Sequence, residues 1–147
     1  MKRITLISFM IFGISLLFGQ TSNTVVYPEV GKPCPDFMLR NITCYPKQQA
    51  TLKDFFGKWL VLDFWNKGCG ACVASFPKTS ALQKEFNEKV QFMLVGIEDK
   101  ENKIQPMYAK YREKENLIMP CAFDSLLANR FDVFSAPFIV RSEEHTF

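Results

Sequence analysis

Cys69 and Cys72 stand three residues apart at the end of the run Asp63-Phe64-Trp65-Asn66-Lys67-Gly68-Cys69-Gly70-Ala71-Cys72. A C-x-x-C pair can pass between dithiol and disulfide, so the first chemistry to consider is thiol redox exchange. Trp59-Leu60-Val61-Leu62 has the length and apolar character of a strand, and the chain from Cys72 onward has a helical pattern. Cys69 is therefore expected at a helix N-terminus. Unsatisfied backbone N–H groups and the positive end of the helix dipole favour an anion there, and they lower a thiol pKa from about 8.5 towards the range 3.5–7.5. Cys69 is the expected nucleophile. Cys72, one helical turn on and on the same side, is the expected resolving thiol.

Two other readings of the pair stay open at this level. A zinc site needs a second pair of ligands, and the one histidine, His145, falls in the C-terminal tail. A purely structural disulfide is the plainer alternative, although structural bridges usually close longer loops and constrain the unfolded chain more.

Asp63 lies six residues before Cys69, between Leu62 and Phe64, where a carboxylate would be buried beneath the sulfur atoms. Burial raises a carboxyl pKa, which makes Asp63 a candidate proton acceptor for Cys72 during exchange; an Asp that simply reaches solvent at a strand end is the alternative. Pro77 falls inside the helical pattern, removes one backbone hydrogen bond and is expected to kink the helix. Ala136-Pro137 precedes the apolar run Phe138-Ile139-Val140, where a proline fits a strand's first residue or its edge. A cis Pro137 would present the Ala136 backbone beside the thiols for pairing with an extended substrate segment, and a trans proline at a strand entry fits the sequence too.

The run Val61 to Cys72, with Asp63, Trp65, Pro77 and Pro137 at these spacings, resembles a thioredoxin-fold protein. Gly31-Lys32-Pro33-Cys34-Pro35-Asp36-Phe37 and the long gap between Cys72 and Pro137 resemble the TlpA/ResA-like branch of exported thiol-disulfide oxidoreductases, over roughly Gly31 to Val140. The resemblance implies an α/β thioredoxin-like fold, with an N-terminal strand extension before the first core strand and a strand-helix insertion between the C-x-x-C helix and the proline strand. It implies Cys69, Cys72 and Asp63 as catalytic residues. Trp65, Gly70, Ala71, Ala136 and Pro137 are the implied substrate contacts. Partners would be envelope proteins bearing disulfides or thiols, such as those awaiting haem attachment, with a membrane electron donor behind the enzyme; no cofactor and no metal are required.

The chain also departs from that branch. Members usually carry Trp before the first cysteine and Pro before the second, where this chain has Gly68 and Ala71. Ser75 stands where many relatives have an acidic residue, and Phe138 where Thr often follows the proline. The dipeptide between the cysteines is among the features that set redox poise in thioredoxin-like proteins, so these changes bear on the direction of electron flow.

The remaining elements must position this pair. Asp36 to Asn41 has the pattern of a strand, Thr51 to Phe56 of a capped helical turn and Trp59 to Trp65 of a central strand. A helix is expected from Cys69 to about Glu88 with Val73, Phe76, Leu82 and Phe86 on one face. Val90 to Ile97 is nearly continuous in apolar residues, as a strand covered on both faces requires. Ile104, Met107, Tyr108 and Tyr111 form a helical stripe, Leu117 to Phe123 a short strand and Ser125 to Phe131 a short helix. Alternating strands and helices mean an α/β domain, and 147 residues allow one, with 15 Phe to fill its core.

Lys2-Arg3, the apolar run Ile4 to Phe18 and the polar exit from Gly19 have the form of a secretory signal over residues 1–19, followed by a lead-in over 20–35. The run is short for a spanning helix, and an uncleaved membrane tether is the alternative. A bacterial periplasm or cell envelope, where disulfides persist, is the expected compartment. Setting aside Lys2 and Arg3 leaves 16 basic against 15 acidic residues, which gives no electrostatic case for nucleic acid.

Cys34 and Cys44 flank the first strand and would need the chain to turn back in order to bridge; Cys121 fits a buried small hydrophobe. The tail 141–147, in which Arg141-Ser142-Glu143-Glu144-His145-Thr146 resembles a translated adapter sequence, is expected not to be native, with the natural chain running on and the thioredoxin-like domain counted as 36–140. Three other classes remain. A peroxidase of the peroxiredoxin kind would want a lone peroxidatic cysteine in its own proline- and threonine-containing loop. A copper-handling module would want wider cysteine spacing and a histidine. A recognition module would keep the disulfide as a structural link only.

Overall fold

The computed structural model describes residues 27–97 and 104–142; the expected leader, the first part of the lead-in and His145 lie outside them. The strands, in chain order, are β1 (Met38–Leu39), β2 (Ile42–Thr43), β3 (Ala50–Thr51), β4 (Trp59–Trp65), β5 (Val90–Gly96), β6 (Cys121–Phe123) and β7 (Phe138–Arg141). The helices are α1 (Gly70–Glu85), α2 (Ile104–Glu115) and α3 (Ser125–Arg130), with a 3₁₀ turn over Leu52–Phe55.

The sheet that carries the site has the order β2-β6-β5-β4-β7, while β1 and β3 pair separately. β4 and β5 run parallel in register from Trp59 opposite Val90 to Trp65 opposite Gly96. Parallel neighbours need a crossover, and α1 is that connection. β7 lies antiparallel to β4, with Asp63 opposite Ile139. This is the α/β architecture expected from the sequence.

Alternation along β4 divides the core. Leu60, Leu62 and Phe64 join Met93 and Val95 of β5 on one face, packed with Phe37, Phe55 and Phe131. Trp65 joins Leu94 on the other, where Phe76 of α1 and Ile104 and Tyr108 of α2 cover them. Each such side chain contributes about 1.5–3 kcal/mol when fully buried.

Several boundaries differ from expectation for local reasons. The first strand is confined to Met38–Leu39 because Asn41 turns the chain at φ +52°. β6 begins only at Cys121: Asn116 turns at φ +50°, and Pro120 has no N–H to give a ladder. On α1 the buried stripe is Cys72, Phe76, Ser80 and Gln83, and Phe86 is exposed. The polar members serve backbone atoms. Gln83 Oε1 accepts from Phe92 N at 2.7 Å, Gln83 Nε2 donates to Val90 O at 3.2 Å, and Ser80 Oγ accepts from Ile118 N at 3.2 Å.

Thr51 caps the 3₁₀ turn as expected, its N–H donating to Asp54 Oδ2 at 2.7 Å. Pairing between β7 and β4 continues past Val140: Arg141 lies opposite Val61, and Ser142 N donates to Leu60 O while Ser142 Oγ accepts from Leu60 N, both at 2.8 Å. The other edge of β7 has no strand beside it among the described residues, and Phe138 and Ile139 are exposed.

Candidate active site

The reacting pair sits where β4 hands over to α1. After Trp65 the side chain of Asn66 turns the chain, its Oδ1 accepting from Gly68 N at 3.0 Å and its carbonyl from Cys69 N at 3.1 Å. Cys69 is then the N-cap of α1, and its Sγ accepts the backbone N–H of Cys72 at 3.2 Å. A sulfur in the N-cap position takes the place usually filled by a Ser or Asp oxygen, and it meets both a helix N–H and the positive end of the dipole. Cys69 and Cys72 are disulfide-bonded with Cα atoms 5.3 Å apart. Cys69 is 8% exposed and Cys72 2%. An incoming partner therefore meets Cys69 first.

Asp63 is buried on β4, two residues before Trp65 and hence on the face that α1 covers, with Leu94 and Ile139 opposite on the flanking strands. Burial pushes its carboxyl up from 3.8 to about 6. Among the described residues no Lys or Arg forms an ion pair with it. The carboxyl is thus poised to hold or release a proton near neutrality.

The expected substrate contacts divide. Gly70, Ala71 and Pro137 are exposed, and Ala136 packs against the cluster that holds Cys69, Cys72 and Trp65. The Ala136–Pro137 peptide bond is cis. Trp65, expected to touch substrate, does not reach the surface: it is fully buried, edge-to-face with Phe76 at 5.2 Å and tilted against Tyr108 at 5.9 Å. Its place on β4 turns it under α1, so it supports the helix that carries the thiols. Its indole N–H faces the buried sulfur of Cys121.

The sequence reading passed over Asn66, although an Asn one residue past a strand and just ahead of a helix is a recognisable turn signal. It also passed over Phe134, which is 90% exposed two residues before Ala136. No local pattern distinguishes that phenylalanine from a core residue.

The other cysteines are free thiols, and Cys34 and Cys44 do not bridge. Burial raises the pKa of Cys34 and of Cys121. Cys44 is exposed and its sulfur accepts from Arg112 Nη1 at 2.8 Å. Among the described residues no group of three or more His, Cys, Asp or Glu side chains could hold a metal ion. A cavity of about 340 Å³ opens on the opposite face of the sheet, lined in part by Cys34, Phe37, Leu60, Leu62 and Phe138. It lies away from the disulfide and is not the reacting site.

Residues 30–145 match the model of the AhpC/TSA family. The chain belongs to the AhpC/TSA family. Among curated relatives of this family member, the thioredoxin-like protein YneN of Bacillus subtilis is 27% identical over 122 residues, covering 82% of this chain and 69% of that protein. The thiol-disulfide oxidoreductase ResA of Oceanobacillus iheyensis is 32% identical over 85 residues, covering 56% of this chain and 44% of that protein. The chain thus spans about half the length of the ResA proteins it matches. Among solved structures, a putative thiol:disulfide interchange protein DsbE from Chlorobium tepidum superposes with a TM-score of 0.58 at 24% identity, covering 76% of this chain and 74% of that one. The fold is thioredoxin-like, and over the part of their length that it matches the chain is similar to proteins named thiol-disulfide oxidoreductases, with its own cysteine pair at disulfide distance.

Proposed function

We propose that this protein is an exported thiol-disulfide oxidoreductase that reduces partner proteins in the bacterial cell envelope. The observation that carries the reading is the helix-capping sulfur of Cys69, held by the Cys72 amide at 3.2 Å. In the reduced protein that position favours a thiolate at neutral pH. The Cys69 thiolate attacks one sulfur of a partner disulfide, forming a mixed disulfide and expelling the partner's other sulfur as thiolate. Cys72 gives its proton to Asp63 and attacks Cys69 Sγ, which releases the second partner thiolate and leaves Cys69 and Cys72 oxidised. Two electrons pass to the partner. A thiol-bearing donor in the membrane returns them.

Export is supported by the basic, then apolar, then polar order of residues 1–23. The reductive direction, and proteins awaiting haem attachment as substrates, are favoured by the resemblance to the ResA-like branch. Among the described residues no helix is long and apolar enough to cross a membrane.

Insulin-disulfide reduction by the wild type and its loss in Cys69→Ser test the chemistry, and a redox titration of the full chain tests the direction. Equal activity of the two proteins overturns the proposal. Peroxide consumption that needs Cys69 and not Cys72 would replace it with a peroxidase.

A further inference from the structure

A groove between β1 and α3, away from the disulfide, has the composition of a membrane-facing surface, an inference that rests on the envelope location proposed above and not on the exchange activity. The groove encloses about 350 Å³, and Tyr27, Met38, Arg40, Leu126, Asn129 and Arg130 stand along it. Tyr27 is 54% exposed, Met38 38% and Leu126 66%. On α3 it is Leu127 and Ala128 that are buried, so the core leaves Leu126 facing outward. Isolated exposed apolar side chains are ordinary, but three gathered about one groove form a patch.

The patch carries positive charge. Arg40 Nη1 donates to Asp124 Oδ2 at 3.2 Å, but the Asp124 side chain is 3% exposed and that of Arg40 44%, so the arginine is what solvent meets. Arg130 Nη2 donates to Asp36 O at 2.8 Å, which fixes the side chain to the lead-in of β1. Among the described residues Arg130 forms no ion pair, and its buried Nε has no hydrogen-bond partner. No acidic side chain lines the groove. Apolar groups beside guanidinium groups suit the boundary of an anionic bilayer, where the first enter between headgroups and the second pair with phosphates. The chain leading into the groove favours the same occupant. The apolar run Ile4 to Phe18 ends nine residues before Tyr27, which is at most about 30 Å of extended chain, so a bilayer holding that run lies within reach of the groove.

We propose that this groove docks the protein on an anionic bilayer, with Arg40 and Arg130 pairing with lipid phosphates and Tyr27, Met38 and Leu126 entering the headgroup region. Asp63, Cys69, Cys72, Ala136 and Pro137 are not among the residues that line it, so docking uses none of the reacting groups.

The test reconstitutes the full chain into vesicles of phosphatidylglycerol or of phosphatidylcholine, each with brominated acyl chains that quench a nearby tryptophan. A tryptophan is introduced by Leu126→Trp, and the emission of the wild type, from Trp59 and Trp65, is subtracted. Ile118→Trp is the control: Ile118 is 60% exposed and its N–H donates to Ser80 of α1, on the other face of the sheet from α3. The expected result is quenching at position 126 in phosphatidylglycerol only, and at position 118 in neither lipid. Adding Arg130→Gln to Leu126→Trp lowers the ratio of quenched to unquenched protein about fivefold, the worth of one cation near an anionic surface. Salt at about 1 M, which shortens the Debye length to about 3 Å, lowers it without any substitution. No quenching at 126 in phosphatidylglycerol, equal quenching at 126 in the two lipids, quenching at 118 to match, or a ratio that neither Arg130→Gln nor salt changes overturns the proposal. Insulin reduction by the wild type is read separately, so its absence overturns the exchange reading and leaves the docking surface standing.

Discussion

The amide of Cys72 donates to Cys69 Sγ across 3.2 Å, so the second cysteine of the pair helps to stabilise the first before any partner arrives. Reduced Cys69 is accordingly expected to ionise more readily than an ordinary thiol, because the helix N–H and dipole favour its anion. Iodoacetamide labelling as a function of pH, followed by peptide mapping, reads this directly. Cys69 should alkylate first and Cys72, which is 2% exposed, much more slowly; an apparent pKa near that of a free thiol would contradict the capping role.

Asp63 makes the stability of the oxidised protein depend on pH. Burial lifts its pKa to about 6 in the fold from an ordinary 3.8, so between those values the native state binds more protons than the unfolded chain. Stability therefore falls as pH rises from about 4 to 6, and the cost is fully present above 6. Asp63→Asn is expected to stabilise the oxidised protein at pH 7 by up to about 3 kcal/mol and to change little at pH 3.5. Urea denaturation at the two pH values checks the sign. The same variant should slow the resolving step at pH 7 and remove the group titrating near 6 from its rate profile.

Gln83 holds α1 to β5 by accepting from Phe92 N at 2.7 Å and from Gln91 Nε2 at 3.1 Å while donating to Val90 O at 3.2 Å. Gln83→Leu keeps the apolar stem but strands the Phe92 N–H. A loss of about 1–3 kcal/mol is expected in chemical denaturation. A neutral result would mean that solvent satisfies that amide.

Gly96 ends β5 where α2 crosses it. A Cβ there would stand 2.7 Å from Ile104 Cδ1 and 3.0 Å from Phe123 Cδ1. Gly96→Ala should cost about 1–3 kcal/mol through overpacking. Thermal melting of the variant measures this, and an unchanged midpoint would show that α2 can shift to make room.

The α/β order, the bounds of β4 and the position of Cys69 at the head of a helix are legible in the chain because they follow from short-range patterns. A continuous apolar run, two cysteines at one-turn spacing and a 3–4 repeat of apolar residues act within a few neighbours of each other. The stripe on α1 was misread for the opposite reason. Ser80 and Gln83 face inward because Ile118 and the start of β5 place backbone atoms there, and nothing in α1 itself records those partners.

The sequence alone placed the groups on which the proposed chemistry rests: a thiol pair at a helix start and a carboxylate six residues upstream on the strand beneath it. Tertiary structure alone decided that Trp65 is buried as support, that burial lifts the Asp63 carboxyl to about 6, that β2 closes the far edge of the sheet through Thr43 and Cys121, and that Phe134 is exposed. Spacing fixes which groups can react. Burial and exposure are sums over residues distant in the chain, and they exist only once the sheet and its helices have come together.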